Sequence, residues 1–335
     1  MRYTAVTQIP SIAIKQGIVP EGAQITIAIP TYKRAHLLRE TLESCLAQQT
    51  DFPFAIIVVD NNPERECETE KLLQEYQAIP HLFYYKNTEN IGMGGNWNKL
   101  FELAQTDFVV MLHDDDLLYD DYIEKTYKIL KCYNYDVNAL YFGVKIFSNS
   151  KDLPIKTTTE IKALALKTFD FQFGNICNLA GAVFKRDIVI KLNGFDSYYH
   201  PSLDYEMHIR LAERGKSIKI YGYDTLYRIS ENVSMNREAI FKICSIDKEI
   251  MEKVTEKFPK IYRDYFFKYY LKDYDRNYIK WNKETYQTTD NQINEYLYKK
   301  ELEATIFDKV VSKIASHLRN SLLFLFRKKH LKIDI

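Results

Sequence analysis

The sequence predicts an α/β protein built on a doubly wound, mostly parallel sheet with a helical C-terminal extension. Three observations lead to this prediction. Short apolar runs recur along the first half of the chain, and each precedes a segment with apolar residues at helical spacing. The run at residues 108–112 is wholly apolar, which is typical of a strand covered on both faces of a parallel sheet. It ends in three consecutive carboxylates, and in open α/β sheets ligands bind at the carboxyl ends of strands.

The composition is that of a globular protein without a strong charge bias. The chain has 335 residues, 46% of them hydrophobic, and a formal net charge of +1. This length supports one sizeable core with room for an appendage, and the balanced charge argues against a nucleic-acid partner. Five scattered cysteines without a CxxC pair indicate a reducing compartment and argue against a zinc site. Because residues 1–22 lack a signal peptide and no apolar stretch could span a bilayer, we expect a cytoplasmic protein.

The first half of the chain alternates strands and helices. Residues 1–22 indicate an arm or an extra edge strand, and a strand at residues 25–29, stopped by Pro30, opens the organised part. The apolar patterns then predict, in order, helix 35–49, strand 54–59, helix 66–77, strand 82–85, helix 96–104, strand 108–112 and a helix from about Tyr119. This alternation predicts βαβ units and a parallel sheet.

The second half is less regular. Its patterns predict strands at residues 139–147 and 181–184, helices at 187–192 and 201–214, and a strand or hairpin at 217–229. Residues 151–168 are polar and predict a flexible or variable segment. From about Glu238 the pattern is helical to the end, with many aromatic residues. We therefore divide the chain into a domain at residues 1–236 and a helical region at 237–335.

Asp114, Asp115 and Asp116 stand side by side at the end of strand 108–112. Adjacent carboxylates repel each other, and burying them is costly unless a cation neutralises them. Divalent ions such as Mg²⁺ and Mn²⁺ prefer carboxylate oxygens, so one interpretation is a metal–phosphate site. The alternative is an acidic loop that caps the helix beginning near Tyr119. These residues alone leave both interpretations open.

Several short motifs, in order and at fitting spacing, resemble those of family-2 inverting glycosyltransferases, which have the GT-A fold. The residues that carry the resemblance are Ile27-Ala28-Ile29-Pro30-Thr31-Tyr32, Ile57-Val58-Val59-Asp60-Asn61, Asn90-Ile91-Gly92, Asn96-Trp97-Asn98, His113-Asp114-Asp115-Asp116, Gly194-Phe195-Asp196, Asp204-Tyr205-Glu206 and Tyr227-Arg228. The resemblance covers about residues 24–236. It implies that residues 1–236 form a GT-A nucleotide-sugar-binding catalytic domain.

The resemblance also implies a role for each matched residue. Asp204 matches the catalytic base, while Asp115 and Asp116 match the metal-binding pair, with Asp116 the more direct ligand. The positions implied to bind the nucleotide sugar are Pro30, Thr31, Tyr32, Arg34, Asp60, Asn98, Asp114, Asp115 and Arg228. The chain departs from the family at His113, where many members have another Asp, and at Leu203, where the family often has an acidic residue.

The implied reaction moves a sugar from a nucleotide diphosphate donor to an acceptor hydroxyl, in the synthesis of a surface polysaccharide or glycoconjugate. A divalent metal (Mn²⁺ or Mg²⁺) and nearby Arg or Lys would stabilise the charge on the departing diphosphate, and a carboxylate would take the proton of the acceptor. One alternative is a nucleotide-sugar-binding protein without catalysis, against which the intact Asp115, Asp116 and Asp204 argue. The other is a sugar nucleotidyltransferase, but residues 31–34 lack the glycines of its phosphate loop.

The C-terminal residues predict a basic amphipathic helix. Apolar residues recur every three or four positions at Val310, Val311, Ile314, Leu318, Leu322 and Leu325, with Lys and Arg between and after them. Such a helix binds anionic lipid at the bilayer surface, which predicts peripheral contact with the inner face of the cell membrane and a glycan or lipid-linked acceptor. The alternative is a helix packed on the catalytic domain.

Overall fold

The computed structural model describes residues 2–149, 153, 161–229, 235–287, 290–303 and 331–333. The strands of this part of the chain are β1 (Ser11–Lys15), β2 (Ile25–Thr31), β3 (Phe54–Asp60), β4 (Leu82–Asn87), β5 (Phe108–Met111), β6 (Leu117–Leu118), β7 (Ala139–Phe147), β8 (Ile161–Leu166), β9 (Ala182–Lys185), β10 (Ser217–Arg228) and β11 (Leu331–Ile333). The α-helices are α1 (Tyr3–Val6), α2 (Ala35–Leu46), α3 (Glu68–Gln74), α4 (Gly92–Leu103), α5 (Tyr122–Cys132), α6 (Arg186–Lys191), α7 (Leu203–Arg214), α8 (Arg237–Thr255), α9 (Lys260–Tyr262), α10 (Lys268–Tyr286) and α11 (Asn291–Glu303).

The strands form one sheet in the order β1-β4-β3-β2-β5-β9-β7-β10-β8-β11, with β6 beside β10. The four strands β4, β3, β2 and β5 pair in parallel, as do β7 and β10. Strand β9 lies antiparallel between β5 and β7, and β1 adds an antiparallel edge to β4. The predicted α/β class with a helical C-terminal part is confirmed, and residues 1–22 do supply an edge strand.

Two hydrophobic layers cover the two faces of the sheet. Successive residues of a strand point to opposite layers: Ala28 belongs to the layer that contains residues of α4, α7, α8 and α10, while Ile27 belongs to the layer that contains residues of α2, α3 and α5. This two-sided burial explains why the strands read as unbroken apolar runs. Helices α8 and α10 share the core of the α/β part through Met251 and Tyr274. Helix α8 begins at Arg237, and the division into two domains stays a prediction.

Strand β2 continues through Pro30 to Thr31, although the sequence predicts that Pro30 stops it. The reason lies in the neighbouring strand. Pairing of β2 with β5 ends at Ala28 and Met111, and the carbonyl of Ala28 accepts the N–H of Leu112 at 3.1 Å. Two residues later, Pro30 directs its nitrogen to this same side, where β5 has already ended. No ladder hydrogen bond is therefore lost there, and pairing with β3 continues.

The prediction of a polar variable segment at residues 151–168 is wrong for its final part. Residues 161–166 form β8, which pairs with β10 and buries Ala163, Leu164 and Leu166. The alternation of apolar residues in this short stretch is masked in the sequence by the polar residues before it. Residues 151–152 and 154–160 lie outside the described part of the chain.

Helix α4 begins at Gly92, four residues before the predicted start. The Asn90 side chain accepts the Gly92 N–H at 2.9 Å, which satisfies one of the free donors of the first turn. A side chain at Gly94 would come within 2.7 Å of the Ser197 hydroxyl. Glycines that read as a loop in the sequence are therefore needed for close packing within a helix.

Candidate active site

The acidic triplet lies in a turn that three strands hold in place. After β5 the chain turns through residues 112–116, where the Asp116 N–H donates to the His113 carbonyl at 3.2 Å. It then continues as β6, which pairs with Thr225 and Leu226 of β10. The turn is thus fixed beside the carboxyl ends of β2 and β10. This is the edge of a parallel sheet at which ligands bind.

Asp114 and Asp115 contact the last residue of β2 and a residue of the turn that follows it. Thr31 donates its hydroxyl to Asp114 at 2.7 Å. The Arg34 guanidinium bridges the two carboxylates, at 3.0 Å to Asp114 and 2.6 Å to Asp115. Asp114 and Asp115 are only 4% and 3% exposed, so this ion pairing occurs where water screens it weakly. The structure brings the predicted donor-binding residues Thr31, Arg34, Asp114 and Asp115 together.

Asp116 is fully buried and contacts His113 and Arg228. His113 Nδ1 lies 3.0 Å from one carboxylate oxygen, and the Arg228 backbone N–H donates to the other at 3.0 Å. The Arg228 side chain donates to the Asp115 carbonyl at 2.8 Å, pairs with Glu40 and lies over the ring of Phe147. Arg228 therefore fixes the backbone of the acidic turn, and Glu40 on α2 is a partner that sequence reasoning missed.

The carboxylates of the acidic turn are strongly desolvated. Burial raises the pKa of Asp114 to about 6, against the opposing effect of Arg34 and Thr31. Burial also raises the pKa of Asp116, although its hydrogen bond with His113 opposes this. Burial lowers the pKa of His113, but Asp116 and the neighbouring carboxylates outweigh it and raise the value to about 9. Additional positive charge at this turn would stabilise the ionised carboxylates.

The residues of the turn fit a divalent cation. One ligand atom each from His113, Asp115 and Asp116 lies within 4.8 Å of the others. Carboxylate oxygens suit Mg²⁺ and Mn²⁺, and imidazole is also a transition-metal ligand. The sequence favours a structural or surface role for His113 over a role as a ligand, whereas the structure brings it into this group. Its side chain is 28% exposed, so it also forms part of the open surface of the site.

Asp60 ends β3, in register with Thr31, and is fully buried. Its carboxylate accepts from Lys86 at 2.7 Å, from the Tyr84 hydroxyl at 3.0 Å and from the Asn62 N–H at 2.9 Å. Lys86 also donates to the Asn62 carbonyl at 2.6 Å and is 1% exposed. Sequence reasoning missed Lys86 and Tyr84. Their spacing of two on one strand places both on the same face as Asp60, which is the signal that could have found them.

Asn98 is buried in α4 and holds a loop from another part of the chain. Its amide donates to the Phe195 carbonyl at 2.9 Å and accepts the Phe195 N–H at 2.7 Å. The predicted donor contact of Asn98 stays a prediction, since these two bonds define a structural role. Pro30 is buried in β2, whereas the Tyr32 side chain is 43% exposed beside the turn that follows this strand. Tyr32 is therefore the more accessible of these two predicted donor contacts.

Asp204 lies in the first turn of α7 and accepts a hydrogen bond from the Asn175 amide at 2.9 Å. Burial raises its pKa, which moves the carboxylate towards the range of a useful general base. The backbone N–H of Tyr205 and the charge of His113 lower that pKa. His113 belongs to the acidic turn, so the charge of this turn acts on Asp204. That the predicted base and the predicted metal ligands form one site stays a prediction.

Residues 26–192 match the family model described as glycosyl transferase family 2. An uncharacterized glycosyltransferase of Methanocaldococcus jannaschii is 27% identical over 189 residues, which cover 56% of this chain and 63% of the relative. A glucosyl-dolichyl phosphate glucuronosyltransferase of Haloferax volcanii is 25% identical over 224 residues, covering 64% of this chain and 67% of that protein. The chain thus spans about two thirds of the length of these relatives.

Two solved structures share the fold at low identity. S. aureus TarS in complex with UDP-GlcNAc has a TM-score of 0.57 and 14% identity, with 87% of this chain and 79% of that chain covered. A mannosyltransferase from Pyrobaculum calidifontis, in complex with GDP-Man and Mn²⁺, has a TM-score of 0.54 and 15% identity, with 98% and 93% covered. The fold of the described chain is the GT-A type.

Proposed function

The chain belongs to glycosyl transferase family 2, and on that premise we propose that it transfers a sugar from a nucleoside diphosphate sugar to an acceptor hydroxyl, with inversion at the anomeric carbon. The observation that carries this proposal is the acidic turn, where ligand atoms of His113, Asp115 and Asp116 come together. The acidic turn offers a site for a cation and a diphosphate, and Asp204 offers a separate carboxylate for the acceptor.

The donor is proposed to bind at the carboxyl ends of β2, β3 and β5. A divalent cation, Mn²⁺ or Mg²⁺, held by Asp116 and Asp115 with His113, would supply positive charge to the leaving diphosphate. Arg34 sits on the same carboxylates with its side chain 28% exposed, so it lies where it can also contact an anionic donor. The Asp60 end of β3 is proposed to contact the nucleotide base, with Thr31 and Tyr32 beside it.

Asp204 is proposed to remove the proton from the acceptor hydroxyl during its attack. A single displacement needs one base on the face opposite the leaving group, and this produces inversion; two flanking carboxylates are the arrangement of glycosidases. Replacing Asp204 with Asn keeps the size of the side chain but removes the proton acceptor. We expect Asp204→Asn to bind the donor normally and to transfer sugar about a hundredfold more slowly or worse.

The decisive experiment measures what the protein releases from a panel of nucleotide sugars with Mn²⁺ or Mg²⁺ and candidate glycan acceptors. Release of a nucleoside diphosphate, together with a β product from an α-linked donor, supports the proposal. In a parallel reaction with a nucleoside triphosphate and a sugar phosphate, release of pyrophosphate would instead identify a sugar nucleotidyltransferase. Binding without turnover by a folded protein would identify a nucleotide-sugar-binding protein that lacks catalysis.

The acceptor is proposed to be a glycan or lipid-linked glycan used in surface polysaccharide or glycoconjugate synthesis, met at the inner face of the membrane. Within the described residues, no helix is both long enough and apolar enough to cross a bilayer. The predicted amphipathic helix at residues 310–325 lies outside the described part of the chain, while residues 331–333 pair with β8. Deleting the C-terminus would also remove that strand, so point changes are the better test.

Leu318→Glu and Leu322→Glu place charge on the proposed lipid-binding face. If this face binds membrane, both changes should reduce co-sedimentation with anionic vesicles and leave sugar transfer to a water-soluble acceptor intact. Leu302→Glu, which changes an exposed leucine of α11 outside that face, is the matched control. Unchanged vesicle binding together with a lower unfolding midpoint would favour a helix packed on the catalytic domain.

A further inference from the structure

A chain of three polar side chains leads from the interior of the protein to Asp204. Asn175 is an exposed residue of the segment between β8 and β9, and its amide nitrogen donates to Asp204 Oδ2 at 2.9 Å. The oxygen of the same amide lies 3.2 Å from His208 Nδ1. His208 is one helical turn after Asp204 on α7 and is fully buried. Hydrogen bonds therefore connect His208 to Asn175 and Asn175 to Asp204.

The direction of each hydrogen bond follows from the chemistry of its partners. The Asn175 oxygen accepts the Cys177 N–H at 3.1 Å, which fixes which end of the amide faces His208 and which faces Asp204. Because an amide oxygen only accepts, His208 Nδ1 must carry a proton. Burial lowers the pKa of His208 to about 3, so the ring is neutral and Nε2 carries none. Nε2 is buried without a hydrogen-bond partner in the described structure.

Packing keeps this histidine in one orientation. The ring of Tyr141 meets it edge-on at a centroid distance of 4.6 Å, and Phe184 stacks with it at 6.2 Å. A buried polar ring with one unpaired nitrogen carries a free-energy cost. The single hydrogen bond that His208 makes is the one that orients Asn175, and Asn175 in turn holds one oxygen of Asp204. This arrangement fixes one oxygen of Asp204, and it also provides the acceptor for the Cys177 N–H.

We propose that Asn175 and His208 are positioning residues for Asp204: neutral His208 fixes the Asn175 amide, which holds one carboxylate oxygen and leaves the other for the acceptor hydroxyl. This inference rests on the proposed function of Asp204 as the base. The donated hydrogen bond also favours the ionised carboxylate and opposes the effect of burial. The other titratable groups that face Asp204 from neighbouring elements are His113, Tyr141, Cys177, Asp247 and Tyr278.

The first test compares Asn175→Ala with the full-length wild type across pH. Asn175 is exposed, so the change should leave the fold intact. Loss of the donated hydrogen bond raises the pKa of Asp204, and the acid limb of the rate profile should move to higher pH. We expect kcat to fall about tenfold or more, the scale for a hydrogen bond to a charged group, with KM for the donor unchanged. Asn178→Ala, an exposed Asn on the same segment, is the matched control.

Variants of His208 separate positioning from packing. His208→Asn keeps an N–H donor at the position of Nδ1, whereas His208→Leu removes it. His208→Leu should move the acid limb in the same direction as Asn175→Ala, and His208→Asn should restore it towards that of the wild type. If Asn175→Ala has the acid limb and the kcat of the wild type, the positioning role is wrong, whether or not the buried His208 variants fold.

The second test does not require activity. In the ¹⁵N-histidine NMR spectrum of the full-length protein, the signal lost in His208→Asn should report a neutral ring with the proton on Nδ1 between pH 5 and 8. A protonated ring, or a proton on Nε2, would overturn the hydrogen-bonded chain. If the wild type shows this tautomer but transfers no sugar, the proposed function is refuted. The proposal that Asn175 and His208 position a catalytic base is then refuted as well, although the hydrogen bonds between these residues are confirmed.

Discussion

The buried pair of Lys86 and Asp60 should be a large determinant of stability. The two side chains are 1% and 0% exposed, and their charged atoms lie 2.7 Å apart. Replacing Lys86 with Met keeps an unbranched side chain of similar length but removes the positive charge. Asp60 would then be a buried carboxylate without a cation, and breaking such a pair from one side costs about 3–5 kcal/mol.

The other contacts of Asp60 and Lys86 narrow the range of the expected loss of stability. Asp60 would keep the Tyr84 hydroxyl and the Asn62 N–H, which favours the lower end of the range. The Asn62 carbonyl would lose the Lys86 donor at 2.6 Å, which adds about 1 kcal/mol because that group is buried. We therefore expect Lys86→Met to lower the free energy of unfolding by about 4 kcal/mol. Urea unfolding at pH 7, followed by circular dichroism, measures this change.

Lys99 supplies a matched control. It is also 1% exposed and lies 2.7 Å from a carboxylate, but its partner Glu102 is 25% exposed and can turn to water. Lys99→Met should therefore cost far less, about 1 kcal/mol. The double variant Lys86→Met with Asp60→Asn should recover at least a third of the loss, since the uncompensated charge is gone. The reasoning is refuted if Lys86→Met is no more destabilising than Lys99→Met.

Two further predictions concern the acidic turn and a carboxyl group near the base. Asp116→Ala, or excess EDTA with the wild type, should abolish sugar transfer while circular dichroism stays unchanged; full turnover in EDTA would reject the metal assignment. Burial raises the pKa of Asp247 to about 6, although the Tyr274 hydroxyl donates to it at 2.6 Å. A raised carboxyl pKa means that the folded state loses stability as pH rises from about 4 to 6. Asp247→Asn should therefore gain stability relative to wild type across that window, by up to about 3 kcal/mol, and a pH-independent difference would contradict the assignment.

The strands and the acidic turn could be predicted because their signals are local. Residues 108–116 carry both the apolar run and the carboxylates, and two-sided burial leaves an unbroken apolar pattern in a short window. Strand β7 has the bounds that the sequence predicts, residues 139–147. The antiparallel placement of β9 between β5 and β7 could not be predicted, since a strand of four residues carries no signal of its partner or direction.

The partners of the site residues depend on contacts that are distant in sequence. Arg228 reaches the acidic turn from 112 residues away, and Glu40 completes the same contact from α2. Asn175 reads as an ordinary polar loop residue, and only the fold brings it within 2.9 Å of Asp204. Motif resemblance identifies residues that touch substrate in relatives, but it carries no information about such supporting residues. They follow only from the structure.

The balance of charge differs between the two strand ends that carry carboxylates, the end of β3 and the turn after β5. At the end of β3, Asp60 is matched by Lys86, so the pair is neutral and completed by neutral donors. After β5 the balance differs: the four carboxylates of Asp114, Asp115, Asp116 and Glu40 face the two guanidinium groups of Arg34 and Arg228. Burial raises the pKa values of Asp114 and Asp116, so keeping these carboxylates ionised at the turn is costly. Added positive charge would therefore stabilise the acidic turn more than the β3 end. This supports the two proposals, a cation at the turn and an uncharged group such as a nucleotide base at Asp60.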